Sequence, residues 1–114
     1  MTESLIDQLD ANINSNRQAR DLGAAIERLQ KSRDFQTVVL SGYLEQEAIR
    51  LVQARTDSVM QKPEQQACLL RQIDAIACFK DFLRTKLMLA DHAAGAIEEA
   101  ESMREQILAE EISE

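Results

Sequence analysis

Tryptophan is missing from this chain, and the whole sequence carries one tyrosine, three phenylalanines, one proline and three glycines. So little turn punctuation excludes a β-rich fold, which needs Gly, Pro, Asn or Asp clusters at roughly every 8–12 residues. No apolar run approaches the roughly 20 residues of a membrane-spanning helix, so no membrane partner is expected. The opening residues MTESLIDQLD are acidic and lack the basic-then-apolar layout of a secretory signal, which gives the expectation of a cytosolic protein.

The chemistry-bearing residues are equally sparse. Gly23, Gly42 and Gly95 stand alone, so no glycine-rich loop can cradle a phosphate. The one histidine, His92, lies in the small-residue run ADHAAGA. No nucleophile sits in a recognisable elbow near it. Glu98, Glu101 and Glu105 are spaced as carboxylates one turn apart, but no Glu-x-x-His motif of a di-iron bundle accompanies them. They read as a solvated acidic face. Cys68 and Cys78 belong to no CxxC motif or Cys/His cluster. On one helix, ten residues apart, their Cα atoms would lie about 15 Å from each other, too far for a disulfide. They are expected to be buried thiols acting as small apolar residues. Taken together, these absences give a non-enzymatic chain with no catalytic residues, no metal, no cofactor and no small-molecule substrate.

What is present is helix-forming sequence. Hydrophobic residues make up 45% and charged residues 29% of 114 residues, which are globular values. Ala, Leu, Ile, Glu, Gln and Arg dominate, so the expected class is all-α, a helical bundle or hairpin with a long C-terminal helix. The net charge of −7 is unevenly placed: residues 1–90 hold 12 Lys/Arg against 12 Asp/Glu, whereas residues 91–114 hold eight Asp/Glu against Arg104 alone. An acidic end of this kind repels phosphate backbones, so direct nucleic-acid binding is disfavoured there.

Three segments of a single domain follow from the pattern. In residues 1–33, Leu5, Ile6, Leu9 and Ile13 recur at helical spacing behind acidic first turns. The patch NSN at 14–16 then either separates a second helix, capped by Ser15 and Gln18, or lies within one longer helix. Residues 34–62 form a central helix beginning at a Ser32 or Asp34 cap. Phe35, Val39, Tyr43, Ile49 and Val52 form its apolar stripe. Gly42 interrupts that stripe, either tolerated there or marking a close crossing by a neighbouring helix. Pro63 is the firm boundary, since proline restricts Lys62 and suits a first helical turn.

Residues 63–114 carry the longest pattern. Leu69, Ile76, Leu83, Ala90 and Ile97 repeat every seven residues, with Ile73, Leu87 and Leu108 on the same side. This is a heptad-like seam, and these eight residues are the candidate protein interface. Unbroken from Glu64 to Glu110, the helix would be about 70 Å long, against a radius of gyration of about 13 Å for a compact domain of this size. Either it breaks near ADHAAGA, or its far half packs outside the monomer. The small residues of ADHAAGA fit first a close approach of two helices, second a bend at Asp91 and Gly95, and last a ligand role. The central stripe is expected to lie on the 69–87 stretch, where Phe79 and Phe82 supply the other aromatics, with the N-terminal residues covering the remaining side. The basic stretch 17–33, net +3, is expected to meet the acidic end of a neighbouring subunit.

In DF-x4-LSGYLEQEAIRLV, IDAIACFKDFLRTKL and EEAESMREQILAEE, the chain resembles small helical proteins encoded among the virion and head-assembly genes of tailed bacteriophages. The resemblance spans roughly residues 34–111 and carries no catalytic motif. It implies a structural or assembly role through self-association or contact with other phage structural proteins, in the cytoplasm of an infected bacterium or in the virion. A second expectation is a small phage regulator that binds a host protein, its acidic helix imitating nucleic-acid charge. A metal-dependent enzyme around His92 and the glutamates ranks third.

Overall fold

A computed structural model describes residues 2–113. Every regular element among them is helical, as the composition requires. Helix α1 runs Thr2–Lys31, α2 is the single turn Arg33–Phe35, a π-helix covers Gln36–Glu47, and α3 is Ala48–Ala54. A 3-10 turn, Ser58–Met60, leads into α4, Pro63–Ser113.

Local chemistry sets the ends. Ser32 leaves helical geometry (φ −69°, ψ 128°) and its hydroxyl accepts from the Phe35 amide, so it caps the central segment. Asp57 does the same for the 3-10 turn, accepting from the Val59 amide at 3.1 Å. Two glutamines hold the corner before α4. Gln61 Nε2 donates to the carbonyls of Arg55 and Asp57, at 2.9 and 2.7 Å. Gln66 Nε2 donates to those of Arg55 and Met60, at 3.0 and 2.7 Å. Pro63 then opens α4 at the first-turn position, where its missing N–H costs nothing.

Two expectations about helix continuity are settled. The NSN patch does not break α1, because Asn14 and Ser15 point to solvent and Asn16 Nδ2 donates back to the Asn12 carbonyl at 2.9 Å. A single long helix results. Nor does α4 break at ADHAAGA, or need a surface outside the chain: it is continuous to Ser113, and α1 supplies the partner for its far half.

The chain divides into two compact units. Unit 1 is Met1–Ile26 with Lys86–Glu114, and unit 2 is Glu27–Thr85. The N-terminal residues therefore pair with the far half of α4, where the sequence led us to expect them against the central pair. In unit 1 the core holds Ile13, Ile97 and Ala100, with Leu9 packed against it. Gly23 and Ile26 of α1 and Ala90 and Ala93 of α4 are also buried. A Cβ built on Gly23 would fall 2.1 Å from the Ala90 Cβ. The two helices thus touch where neither has a side chain larger than a methyl, and the small residues of ADHAAGA serve close packing. Gly95 is not part of that contact; nothing lies within 4 Å of its would-be Cβ.

In unit 2 the buried residues are larger: Leu44 and Leu51 from the central segment, Leu69, Ile76 and Leu83 from α4. Leu51 is 1% exposed. The stripe expected from the sequence is corrected here. Phe35 and Val39 are half-buried and Tyr43 lies at the edge, but Ile49 and Val52 are 57% and 56% exposed. The cause is the π-helix. Its i→i+5 hydrogen bonding widens each turn, so residues three and four apart no longer line up as they do in an α-helix. Gly42 fits this geometry: a Cβ there would meet the Thr37 carbonyl oxygen, five residues back in its own helix, at 3.0 Å, and no atom of a facing helix comes within 4 Å.

Candidate functional site

The seven-residue row of α4 is occupied within the chain. Leu69, Ile76 and Leu83 are buried in unit 2, and Ala90 and Ile97 are buried in unit 1, while Ile73, Leu87 and Leu108 are half-buried. These eight residues form the inner face of α4, and whatever surface they still share is at its edges.

The apolar residues left uncovered lie elsewhere. Phe82, Leu89, Ala96 and Met103 follow one another at seven-residue intervals on α4, the first three one position before Leu83, Ala90 and Ile97 of the buried row. Phe82, Leu89 and Met103 are exposed, as is Met88, and Ala96 is half-buried. This second row escapes the sequence reading because the buried row beside it already satisfies the period. On the central segment Val38 is 67% exposed.

Unit 2 has an open groove of about 380 Å³ lined by Val38, Gly42, Tyr43, Leu51, Ala75 and Ile76, with Glu47 and Gln72 as its polar members. Gly42 contributes no side chain to the wall, and the widened π-helical turn sets the wall back. Tyr43 stands edge-on to Phe79, with ring centroids 6.2 Å apart and planes at 79°, a favoured aromatic geometry. Arg50, one turn after Glu47, hydrogen-bonds its carboxylate. That bond, helped by the Arg50 charge, holds the Glu47 carboxyl below its ordinary range and raises the Arg50 guanidinium above its own. The pair is exposed, and its effect is to neutralise the polar end of the groove.

The two units differ sharply in charge. Unit 1 holds 4 Lys/Arg against 12 Asp/Glu, net −8, and unit 2 holds 9 against 8, net +1. In unit 1, Arg104 Nε donates to Asp10 Oδ1 at 3.1 Å and Arg17 lies 3.7 Å from Glu101. A polar hollow of about 350 Å³ lies among Asp10, Ile13, Asn14, Arg17, Glu101 and Arg104, and these pairs satisfy its charges. Glu98, Glu99, Glu105, Glu110 and Glu111 stay exposed. In unit 2, Arg28, Lys31 and Arg33 are exposed and form no ion pair among the described residues. They cluster at the α1–α2 corner, from which the π-helix and Val38 lead directly.

His92 is exposed. No group of His, Cys, Asp or Glu among the described residues is arranged to hold a metal ion. Both cysteines are exposed free thiols, which corrects the expectation that they are buried. The buried row passes through Leu69 and Ile76, and Cys68 and Cys78 fall to either side of it; Gln72 Nε2 donates to the Cys68 sulfur at 3.4 Å. No described helix is long and apolar enough to cross a membrane. No family model, no curated protein and no solved structure matches this chain.

Proposed function

We propose that this chain is a non-enzymatic structural or assembly protein of a bacteriophage, working through helix-mediated contacts with copies of itself or with other phage structural proteins. The observation that carries the proposal is the uncovered apolar surface. In unit 1 two helices pack face to face, so each buries one stripe, and a helix whose apolar arc is wider than that contact keeps the remainder in water. Leu89, Ala96 and Met103 are that remainder in unit 1, and Val38, Tyr43 and Phe82 play the same part in unit 2. An apolar patch beyond the scattered exposure of ordinary surfaces marks an interaction site, and we read these residues as such patches. The phage assignment rests on the sequence resemblance, and with it the location in an infected bacterium or a virion.

Light scattering behind a sizing column, on full-length protein over a range of concentrations, tests this reading. We expect a species heavier than the 12.9 kDa chain; a monomer at every concentration would remove the self-association. Truncation before Ala93 is a poor substitute, because it strips Ala93, Ile97 and Ala100 from the α1 contact.

One observation favours a second reading, a regulator that binds a host protein by imitating nucleic acid. The exposed glutamates of α4 give unit 1 most of the chain's negative charge. A monomer that displaces DNA from a host nucleic-acid-binding protein at low salt would replace the assembly reading with this one.

A further inference from the structure

Resting on the self-association reading, we infer which surfaces meet: the open groove of unit 2 receives the outer face of α4 from unit 1 of a second copy. The groove offers Val38, Tyr43, Leu51, Ala75 and Ile76. The outer face of α4 offers Leu89, Ala96 and Met103 as knobs at seven-residue spacing, the repeat that seats one helix against another.

Charge disfavours one alternative and favours this pairing. Unit 1 against unit 1 would bring net −8 onto net −8. Within a Debye length, about 8 Å at physiological salt, that repulsion opposes the contact. Unit 2 is net +1, and Arg28, Lys31 and Arg33, which form no ion pair among the described residues, stand at the corner that leads into Val38 and the groove. Glu99, three residues after Ala96 and four before Met103, lies beside the row Leu89–Ala96–Met103, and Glu110 continues it at the same seven-residue spacing; neither is paired within the chain among the described residues. An acidic flank on one copy thus finds a basic corner on the other, while the apolar row fills the groove. The ions set which units meet and in which direction, and the apolar contact supplies most of the affinity. Arg17 and Arg104 take no part, since they are engaged with Glu101 and Asp10 of their own chain.

The test is a charge swap on the full-length chain. One variant carries R28E, K31E and R33E; the other carries E99K and E110K. All five positions are exposed, and far-UV circular dichroism confirms that both variants fold. Each alone is expected to associate at least tenfold more weakly than the wild type at low salt. Mixed in equal amounts they are expected to regain association, because the reversed charges again meet opposite signs. A third variant, V38E, changes an exposed position at the groove mouth and is expected to weaken association at high salt as well. Variants that associate as the wild type does, or a mixture that stays apart, would overturn this pairing and leave self-association standing through other faces, unit 2 on unit 2 first. A wild-type monomer at every salt concentration would overturn the self-association reading itself and this pairing with it.

Discussion

The seven-residue row of α4 runs through both units, yet each unit is held together differently. Along α4 the row changes from Leu69, Ile76 and Leu83 in unit 2 to Ala90 and Ile97 in unit 1, with Ala93 and Ala100 beside it. Large side chains keep two helix axes towards the wide end of the usual 8–10 Å range, and small ones let them approach. Unit 2 therefore depends on filled volume. Unit 1 depends on closeness, with Gly23 against Ala90. The lesson is that a repeat fixes which face is buried, while the size of the residues in it decides what kind of damage each unit tolerates.

The sharpest way to break that contrast is to hollow out unit 2. Leu51→Ala removes the most deeply buried side chain in the chain, and the loss should be about 3 kcal/mol, within the 2–5 kcal/mol seen for such truncations. Urea denaturation reads it directly. A loss well below 1 kcal/mol would mean the groove lets the helices collapse onto the site, and the volume-filling account of unit 2 would fail.

Unit 1 should fail in the opposite way, by addition. Gly23→Ala inserts a methyl 2.1 Å from the Ala90 Cβ, so the helices must separate, at a cost of about 1–3 kcal/mol despite alanine's better helix propensity. Gly95→Ala is the matched control on the other face of the same unit. With nothing within 4 Å, it should gain up to about 1 kcal/mol from propensity alone. Opposite signs for the two glycines would sharpen the comparison. The same sign would show that Gly23 is present for some reason other than contact.

Much of this architecture could be read from the sequence. The seven-residue repeat from Leu69 to Ile97 identified the inner face of α4, and Pro63 marked its start, because both rest on local rules that packing does not override. The central segment was misread because Val38, Val39 and Tyr43 are compatible with an α-helical stripe, and nothing in their spacing announces i→i+5 bonding. Leu44 and Leu51 carried a usable signal, being seven apart like the row they face, but Ile49 and Val52 competed with them. Continuity through residues 14–16 turned on the Asn16 back-bond, a side-chain choice that composition leaves open. The uncovered row Phe82–Leu89–Ala96–Met103 has the period of the buried row, and only the structure distinguishes inside from outside.

The smallest effect should come from the ion pairs of unit 1, and its size bears on how that unit tolerates its charge. The Arg104 and Asp10 side chains are each close to half exposed, so solvent screens their attraction, and a double-mutant cycle with R104Q and D10N should give a coupling of about 0.2–1 kcal/mol. The single substitutions should not be symmetrical. R104Q removes one of only four cations from a unit already at net −8, whereas D10N relieves that excess. At low salt R104Q should therefore cost more than the coupling energy, and D10N less. At about 1 M salt, where the screening length is near 3 Å, both should shrink towards zero. Equal costs that persist at high salt would mean the two side chains stabilise unit 1 by packing over Ile13, as neighbours of the core, and not by offsetting its charge.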